Sequence, residues 1–596
     1  MSSVPERSEI DEEYKWDLTA LYADDDAWED AFAAARERVA DLEACEERVT
    51  ESADDLYETL QTHETVMRKV TNVAAYARHR RDENTADSHY QALSSRARSL
   101  RSEAASAGSF IEPAIQDLGR ETVEGWTREH PDLDTYEHYF DDVLRTKPHT
   151  RSAEVETLLA DLGEVLGSTG EVYEMLTNAD IEFPAVDHPD GDTRRITLNN
   201  FTTLQEHPDR EFRREVYELF YDEWDDYRNA VAAAYRNSVK TDVKLARARD
   251  YDTAREATLD GPNVPVEVYD TLVDTVNDNL DVLGRHADLK RRHIGADRLR
   301  MWDLYVPMVD GESPEIEYDR AREWVTEAVA PLGDEYQSRV AGGLDSRWVD
   351  VYETANKRSG AYSGGTYDSQ PYILMNYQDD VTSMFTLAHE LGHSLHSEYT
   401  SDHQPYVYSS YEIFVAEVAS TVNETLLTHH LLEVVEDERL RRHVLDQYLE
   451  RFRTTLFRQT MFAEFEHRTH ELEEKGEALT ADRLDELYRD LKATYYADAD
   501  VDDRIAREWM RIPHFYRAFY VYQYATGLSA AAALAGDILD EGEPAAERYR
   551  EFLASGSRKY PLELLDDAGV DMTAADPIEA AIDTYGEFLD EFEQFV

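Results

Sequence analysis

A mainly α-helical fold is predicted by three features of the sequence. Gly (25) and Pro (18) are sparse for 596 residues, so few positions break a helix. Apolar residues recur at helical spacing through most of the chain, as in Leu18 to Ser52 and Glu424 to Thr460. Only two stretches depart from that pattern, and each reads as a small β element. In the first, Ile181 to Val186 and Arg195 to Leu198 flank the turn-forming run His188-Pro189-Asp190-Gly191-Asp192, which predicts a β-hairpin. It is expected to close an N-terminal helical lobe, residues 1–200, ahead of a second domain, residues 201–596. The second departure is Ser359 to Tyr367, rich in Gly and Ser, followed by Pro371 to Tyr377, which reads as a strand. A Gly-rich segment beside a strand lets another backbone approach closely and pair as an added strand. His130-Pro131 and His207-Pro208 separate helices without forming flexible linkers, and no fixed-period repeat or low-complexity tract is present.

Charge sets the next limits. With 61 Lys+Arg against 127 Asp+Glu the net charge is −66, spread along the whole chain rather than gathered in a tail. A hydrophobic fraction of 42% with 11% aromatics still supports a buried core, so the chain is not disordered. The negative field repels phosphate backbones and anionic lipid, which argues against nucleic-acid and membrane partners. Self-repulsion of this size is tolerable where salt shortens the screening length to about 3 Å at 1 M, and a high-salt cytoplasm is the expected setting. Cys45 stands alone, which rules out an intramolecular disulfide and a cysteine-based zinc site. The first eighteen residues lack the apolar core of a secretory signal, and no run approaches the roughly 18 apolar residues of a membrane span. The expectation is a soluble, cytoplasmic protein.

Chemistry is concentrated in Thr386-Leu387-Ala388-His389-Glu390-Leu391-Gly392-His393-Ser394-Leu395. Two His four residues apart share one helix face, about one turn apart, so their ring nitrogens can meet a single Zn²⁺. Asp379, Asp380 and Thr382 suit a helix start, and Val381, Met384, Phe385, Ala388 and Leu395 supply the apolar stripe. A catalytic zinc of this kind takes three protein ligands and leaves a fourth position open for water. His396 lies on a nearby face, but a third ligand from the same helix would strain a tetrahedral site, which leaves it a supporting role. The third ligand is expected from another helix, within Tyr411 to Glu424. Glu417 falls in the apolar run Ile413 to Val422, where an unpaired carboxylate is costly unless it meets a cation. Glu412 is nearer the loop and solvated, and Glu424, two turns on, is placed to orient a ligand. Glu390, beside the metal without binding it, is the expected general base, taking a proton from water and passing it to a leaving amine. Donors for the oxyanion are richest in Ile512 to Tyr524, where His514 and several Tyr cluster.

Taken together, these segments resemble oligoendopeptidase F, in the thimet-like group of zinc oligopeptidases. The likeness covers Tyr14-Lys15-Trp16-Asp17-Leu18, Gly360-Ala361-Tyr362-Ser363-Gly364-Gly365, Pro371-Tyr372-Ile373-Leu374, and the run from His389 to Ser397. It continues through Phe414-Val415-Ala416-Glu417-Val418-Ala419-Ser420, His514 to Gly527, and Ser557 to Met572. The resemblance implies a helical, two-lobed body enclosing a deep channel, in which residues 201–596 form the catalytic domain. It implies one zinc ion per chain on His389, His393 and Glu417, with Glu390 as base. It also implies that His514 and nearby Tyr side chains hold the transition state, with Tyr520 and Tyr524 the expected donors and Tyr522 expected toward the substrate. Spacing alone does not separate Tyr516, Tyr520, Tyr522 and Tyr524. Gly360, Ala361, Tyr362, Gly364 and Gly365 are implied to lie along the bound peptide, and the substrates to be short unfolded oligopeptides.

Rival readings are a zinc carboxypeptidase or dipeptidase, in which an Arg such as Arg511 or Arg517 would fix a terminal carboxylate, and a non-catalytic peptide carrier. The carrier is disfavoured because base and ligands are all present. The family leaves the oligomeric state open.

Overall fold

The computed structural model describes residues 4–311 and 313–595. Helices dominate, as the sequence predicts, and the chain divides into two compact units, each assembled from three stretches. The first comprises Met1–Pro148, Ser313–Val434 and Leu534–Gly569; the second comprises His149–Glu312, Val435–Ala533 and Val570–Val596.

In the first unit, helices Asp25–Glu43, Ala53–Glu83 and Ser88–Gly108 pack around a core that includes Trp28, Leu56, Val70, Leu93 and Leu100. Each begins with an acidic or hydroxyl side chain that accepts a first-turn N–H, as Asp24 does from Ala27 and Ser52 from Asp55. The same unit holds a three-stranded sheet: β1 (Val349–Tyr352), β2 (Tyr362–Gly364) and β3 (Tyr372–Tyr377), in the order β1-β3-β2. β1 runs parallel to β3, with Val349 opposite Ile373; β2 runs antiparallel to it, with Ser363 opposite Ile373. Tyr372 to Met375 are buried, as a central strand requires, whereas β2 lies at the sheet edge and is half-exposed. The predicted strand and the Gly-rich segment are therefore neighbours in one sheet.

Following β3, helix α1 (Val381–His403) starts at Asp380, whose carboxylate accepts the Ser383 N–H at 2.7 Å. The preceding Asp379 takes φ +52°, turning the chain from strand to helix. The predicted stripe of Val381, Met384, Phe385, Ala388 and Leu395 is buried. α1 ends at Gln404-Pro405, and α2 (Ile413–Val434) packs directly against it.

The second unit is built on the 39-residue helix Arg210–Ala248. The predicted hairpin is present here as Ala185–Asp187 paired with Thr193–Arg195. The helical spacing read from Glu424 to Thr460 is carried by three helices in succession: α2 stops at Val434, Asp437 caps α3 (Glu438–Phe452), and a π-helical turn, Arg453–Phe457, leads into α4 (Arg458–Glu474). The apolar period carries across these joints because neither the cap nor the one-residue bulge shifts it far. α5 (Ala481–Tyr495) and the 3-10 segment Ile505–Arg511 complete the part of the unit used below.

Candidate active site

α1 and α2 meet at Gly392. A Cβ there would lie 2.5 Å from the Ala419 carbonyl oxygen and 2.6 Å from Ser420 Cα, so only glycine admits the helices at this separation. Two further bonds fix the pair: Asn423 donates to the Ala388 carbonyl at 3.2 Å and accepts from the Tyr336 hydroxyl at 3.0 Å.

This approach brings three side chains together. His389 Nε2 lies 3.2 Å from His393 Nε2, and Glu417 Oε2 lies 3.6 and 3.7 Å from them. The far nitrogen of each ring is already committed. His389 Nδ1 donates to Glu424, a carboxylate 1% exposed, at 2.5 Å, and His393 donates to the Ala416 carbonyl. Burial, reinforced by His389, holds the His393 ring at about 4, so it is neutral at neutral pH. With both far nitrogens protonated, the two facing Nε2 atoms present lone pairs to each other and to a carboxylate oxygen. Three acceptors so close together repel unless a cation lies among them. Distances of 3.2–3.7 Å match the edges of about 3.3–3.4 Å that tetrahedral ligands make at about 2.0–2.1 Å from zinc. The donor set of two imidazoles and one carboxylate suits that metal. Ser420 Oγ donates to Glu417 Oε2 at 3.1 Å and steadies it.

Glu390 is one step round the helix from the trio. Its side chain is largely buried; that burial, with the nearby carboxylates of Glu417 and Glu424, pushes its carboxyl up to about 7 against the opposing pull of His389. The backbone N–H of Ser363 in β2 donates to this carboxylate, and Ser363 Oγ meets Ser394 Oγ at 2.8 Å. Edge strand β2 is thereby tied to the helix that carries Glu390. Within it Tyr362 turns inward, donating to Asp82 at 3.0 Å and stacking with His79. Gly364 lets the Arg78 guanidinium pass where a Cβ would clash at 2.5 Å. Gly360, at φ +84°, and Ala361 precede β2, and Gly365 follows it against Gln370 and Pro371. His396 is buried, its ring stacked on Tyr411 at 3.7 Å, a packing position rather than a ligand position. Glu412 is exposed.

His514 and the tyrosines belong to the second unit, where their side chains have different surroundings. The His514 and Tyr520 rings lie parallel at 5.9 Å, Tyr524 stands across both, and the Tyr520 and Tyr524 hydroxyls are 3.4 Å apart. Tyr516 instead stacks on Tyr173 at 4.5 Å. Tyr522 is 1% exposed with its ring against Tyr269, a core position and not a surface that a peptide reaches. Arg511 is held by Tyr305 and Glu508, whereas Arg517 is exposed and lies over the Tyr520 ring. Glu424 was legible as an orienting residue; Ser363 and Ser420 carried no sequence signal, because serines beside a site look like any others.

Known proteins identify the family. The profile of Peptidase family M3 matches residues 203–584, and that of Oligopeptidase F matches residues 115–183. The chain is 44% identical to Oligopeptidase PepF of Bacillus subtilis, over the whole of this chain and 89% of that one. It is 39% identical to Group B oligopeptidase PepB of Streptococcus agalactiae, over 99% and 98% of the two. The crystal structure of oligoendopeptidase-F from Enterococcus faecium superposes with a TM-score of 0.74 at 35% identity, covering 96% of this chain and 99% of that one. The chain belongs to peptidase family M3, and within it to the oligopeptidase F group of metallopeptidases.

Proposed function

We propose that this chain is a zinc endopeptidase that cuts internal bonds of short oligopeptides, with His389, His393 and Glu417 as ligands for one Zn²⁺ and residues 201–596 as the catalytic domain. The observation that carries the reading is the convergence of two imidazole nitrogens, on rings whose other nitrogen is already engaged, with a carboxylate oxygen of Glu417. When bound, the zinc supplies a Lewis acid for the scissile carbonyl and for the attacking water.

The remaining chemistry falls to side chains. Glu390 takes the proton of the attacking water and returns it to the leaving amine. A carboxyl pushed up to about 7 by burial suits both transfers, and the charge of a bound cation pulls it the other way. Glu424 fixes the tautomer of His389. The half-exposed edge of β2 offers backbone groups to an extended peptide, which supports Gly360, Ala361, Gly364 and Gly365 as the proposed substrate-side residues. His514, Tyr520 and Tyr524 are the proposed donors to the oxyanion. Tyr362 and Tyr522 support packing in this reading.

The setting proposed is a high-salt cytoplasm, from the −66 charge. Among the described residues no helix is long and apolar enough to cross a membrane. Cleavage of an internally quenched peptide blocked at both termini tests the endopeptidase assignment. Turnover is expected, whereas activity only on peptides with a free C-terminus would turn the reading to a carboxypeptidase. Unfolding followed from low to molar KCl tests the setting: strong stabilisation is expected, and a flat response would contradict it.

A further inference from the structure

In the second unit the carboxylate of Glu508, 1% exposed, is met by three cations. Oε1 lies 2.8 Å from Arg458 Nη2 and 3.3 Å from Arg511 Nη2, and Oε2 lies 2.8 Å from Lys492 Nζ. The Tyr488 hydroxyl donates to Oε2 at 2.7 Å. These residues come from α4, α5 and the 3-10 segment Ile505–Arg511, and among the described residues none of the three cations has a second carboxylate within ion-pair distance. The cluster therefore holds three positive charges against one negative, in a chain with twice as many acids as bases.

Aromatic faces soften this excess without cancelling it. Arg458 lies over Phe462, Arg511 over Phe201 and Lys492 over Tyr496, at 4.7, 5.2 and 4.9 Å. The Nε atoms of both Arg458 and Arg511 are buried without a hydrogen-bond partner, although buried donors are almost always satisfied. Arg511 Nη2 donates to the Tyr305 hydroxyl at 2.9 Å, which leaves the Tyr305 proton available to a further acceptor. Burial raises the Tyr305 hydroxyl, yet the charges of Arg458 and Arg511 outweigh it and hold the group below the usual tyrosine range.

We propose that Arg458, Arg511 and Tyr305 bind a monovalent anion, a halide ion or a single carboxylate group, that neutralises the excess charge around Glu508. Both side chains keep a fraction of their surface exposed, 15% for Arg458 and 11% for Arg511. This site is independent of the metal and of the peptidase reading, since none of its residues belongs to the proposed catalytic set.

The test uses the full chain at fixed high ionic strength, with chloride replacing a bulky sulfonate as the potassium salt. The melting temperature is expected to rise by about 2–8 °C and to saturate with chloride. Arg458→Gln is expected to lose the saturable part while keeping the general salt response. In chloride-free buffer, an N-acetyl dipeptide acid compared with its amide separates the sources: stabilisation by the acid alone assigns the site to a peptide carboxylate, and by chloride alone to a free ion. A melting temperature unchanged in every arm overturns the proposal. So does a phenolate absorbing at 295 nm near neutral pH in chloride-free buffer that Tyr305→Phe removes, since Tyr305 would then supply the missing charge itself.

Discussion

His389, His393 and Glu417, half-buried in one unit, and the buried Glu508 cluster in the other are polar groups with opposite shortfalls. The first turns two imidazole nitrogens and a carboxylate oxygen toward one another; the second gathers three cations around one carboxylate. A third cluster serves as reference. Glu450 lies 2.7 Å from Arg453 and 2.6 Å from Lys290, with Asp446 alongside, so two cations face two carboxyl groups, and the charges balance once Asp446 ionises, above about pH 7. Buried charge alone does not mark an ion site, because a balanced group satisfies itself. The imbalance is the signal, and its sign names the class of ion.

The largest effect expected is on Glu390. Glu390→Gln keeps the trio intact and removes the proton carrier, so kcat should fall by about 10²–10⁴ with zinc content unchanged, read by elemental analysis beside the peptide assay. Activity equal to the parent would remove Glu390 from the mechanism. Next is Glu424→Gln, which leaves a neutral acceptor at His389. Zinc affinity measured by competition with a chelator should weaken by about 10–100-fold, and an unchanged affinity would show that the buried carboxylate does not tune the ligand. Gly392→Ala attacks the comparison through packing. The new methyl group has nowhere to go against Ala419 and Ser420, and a loss of about 1–3 kcal/mol is expected together with weaker zinc binding. A fully stable, fully loaded variant would show that helix approach does not set the site.

The smallest effect probes the reference cluster. Burial, aided by Glu450 and opposed by Lys290, pushes the Asp446 carboxyl up to about 7, so the folded chain keeps a proton that the unfolded chain releases near pH 4. The stability this contributes is present below about pH 4 and is lost as pH rises through about 7. Asp446→Asn should therefore lose less stability than the parent between pH 4.5 and 7.5, by urea unfolding in molar KCl. Parallel pH profiles would contradict that titration.

How much of this was legible in the sequence follows from where each signal resides. Both His and the base lie within one helical turn, and Glu417 stands out as an acid in an apolar run, so the α1–α2 site could be read from periodicity and composition. The Glu508 cluster draws on residues 305, 458, 492, 508 and 511, which share no period and meet only through tertiary packing. The same reason hides the division into units, since each collects three separated stretches. The tyrosines of Ile512 to Tyr524 were ambiguous because Tyr520 precedes the helix that begins at Tyr522, and a period of 3.6 does not apply across that start. Helix ends at Val434 and the π turn at Arg453–Phe457 fell inside a continuous apolar pattern, where a single capping Asp is a weak local cue.

The measurement that bears most directly on the central claim is the metal stoichiometry of the purified chain and of His393→Ala, by elemental analysis after dialysis against metal-free buffer. One zinc per chain in the parent and none in the variant is the expected result, with activity removed by a chelator and restored by Zn²⁺. A parent that hydrolyses peptides with no transition metal bound, or a variant that keeps its full equivalent, would contradict the account of three acceptors held together by a cation.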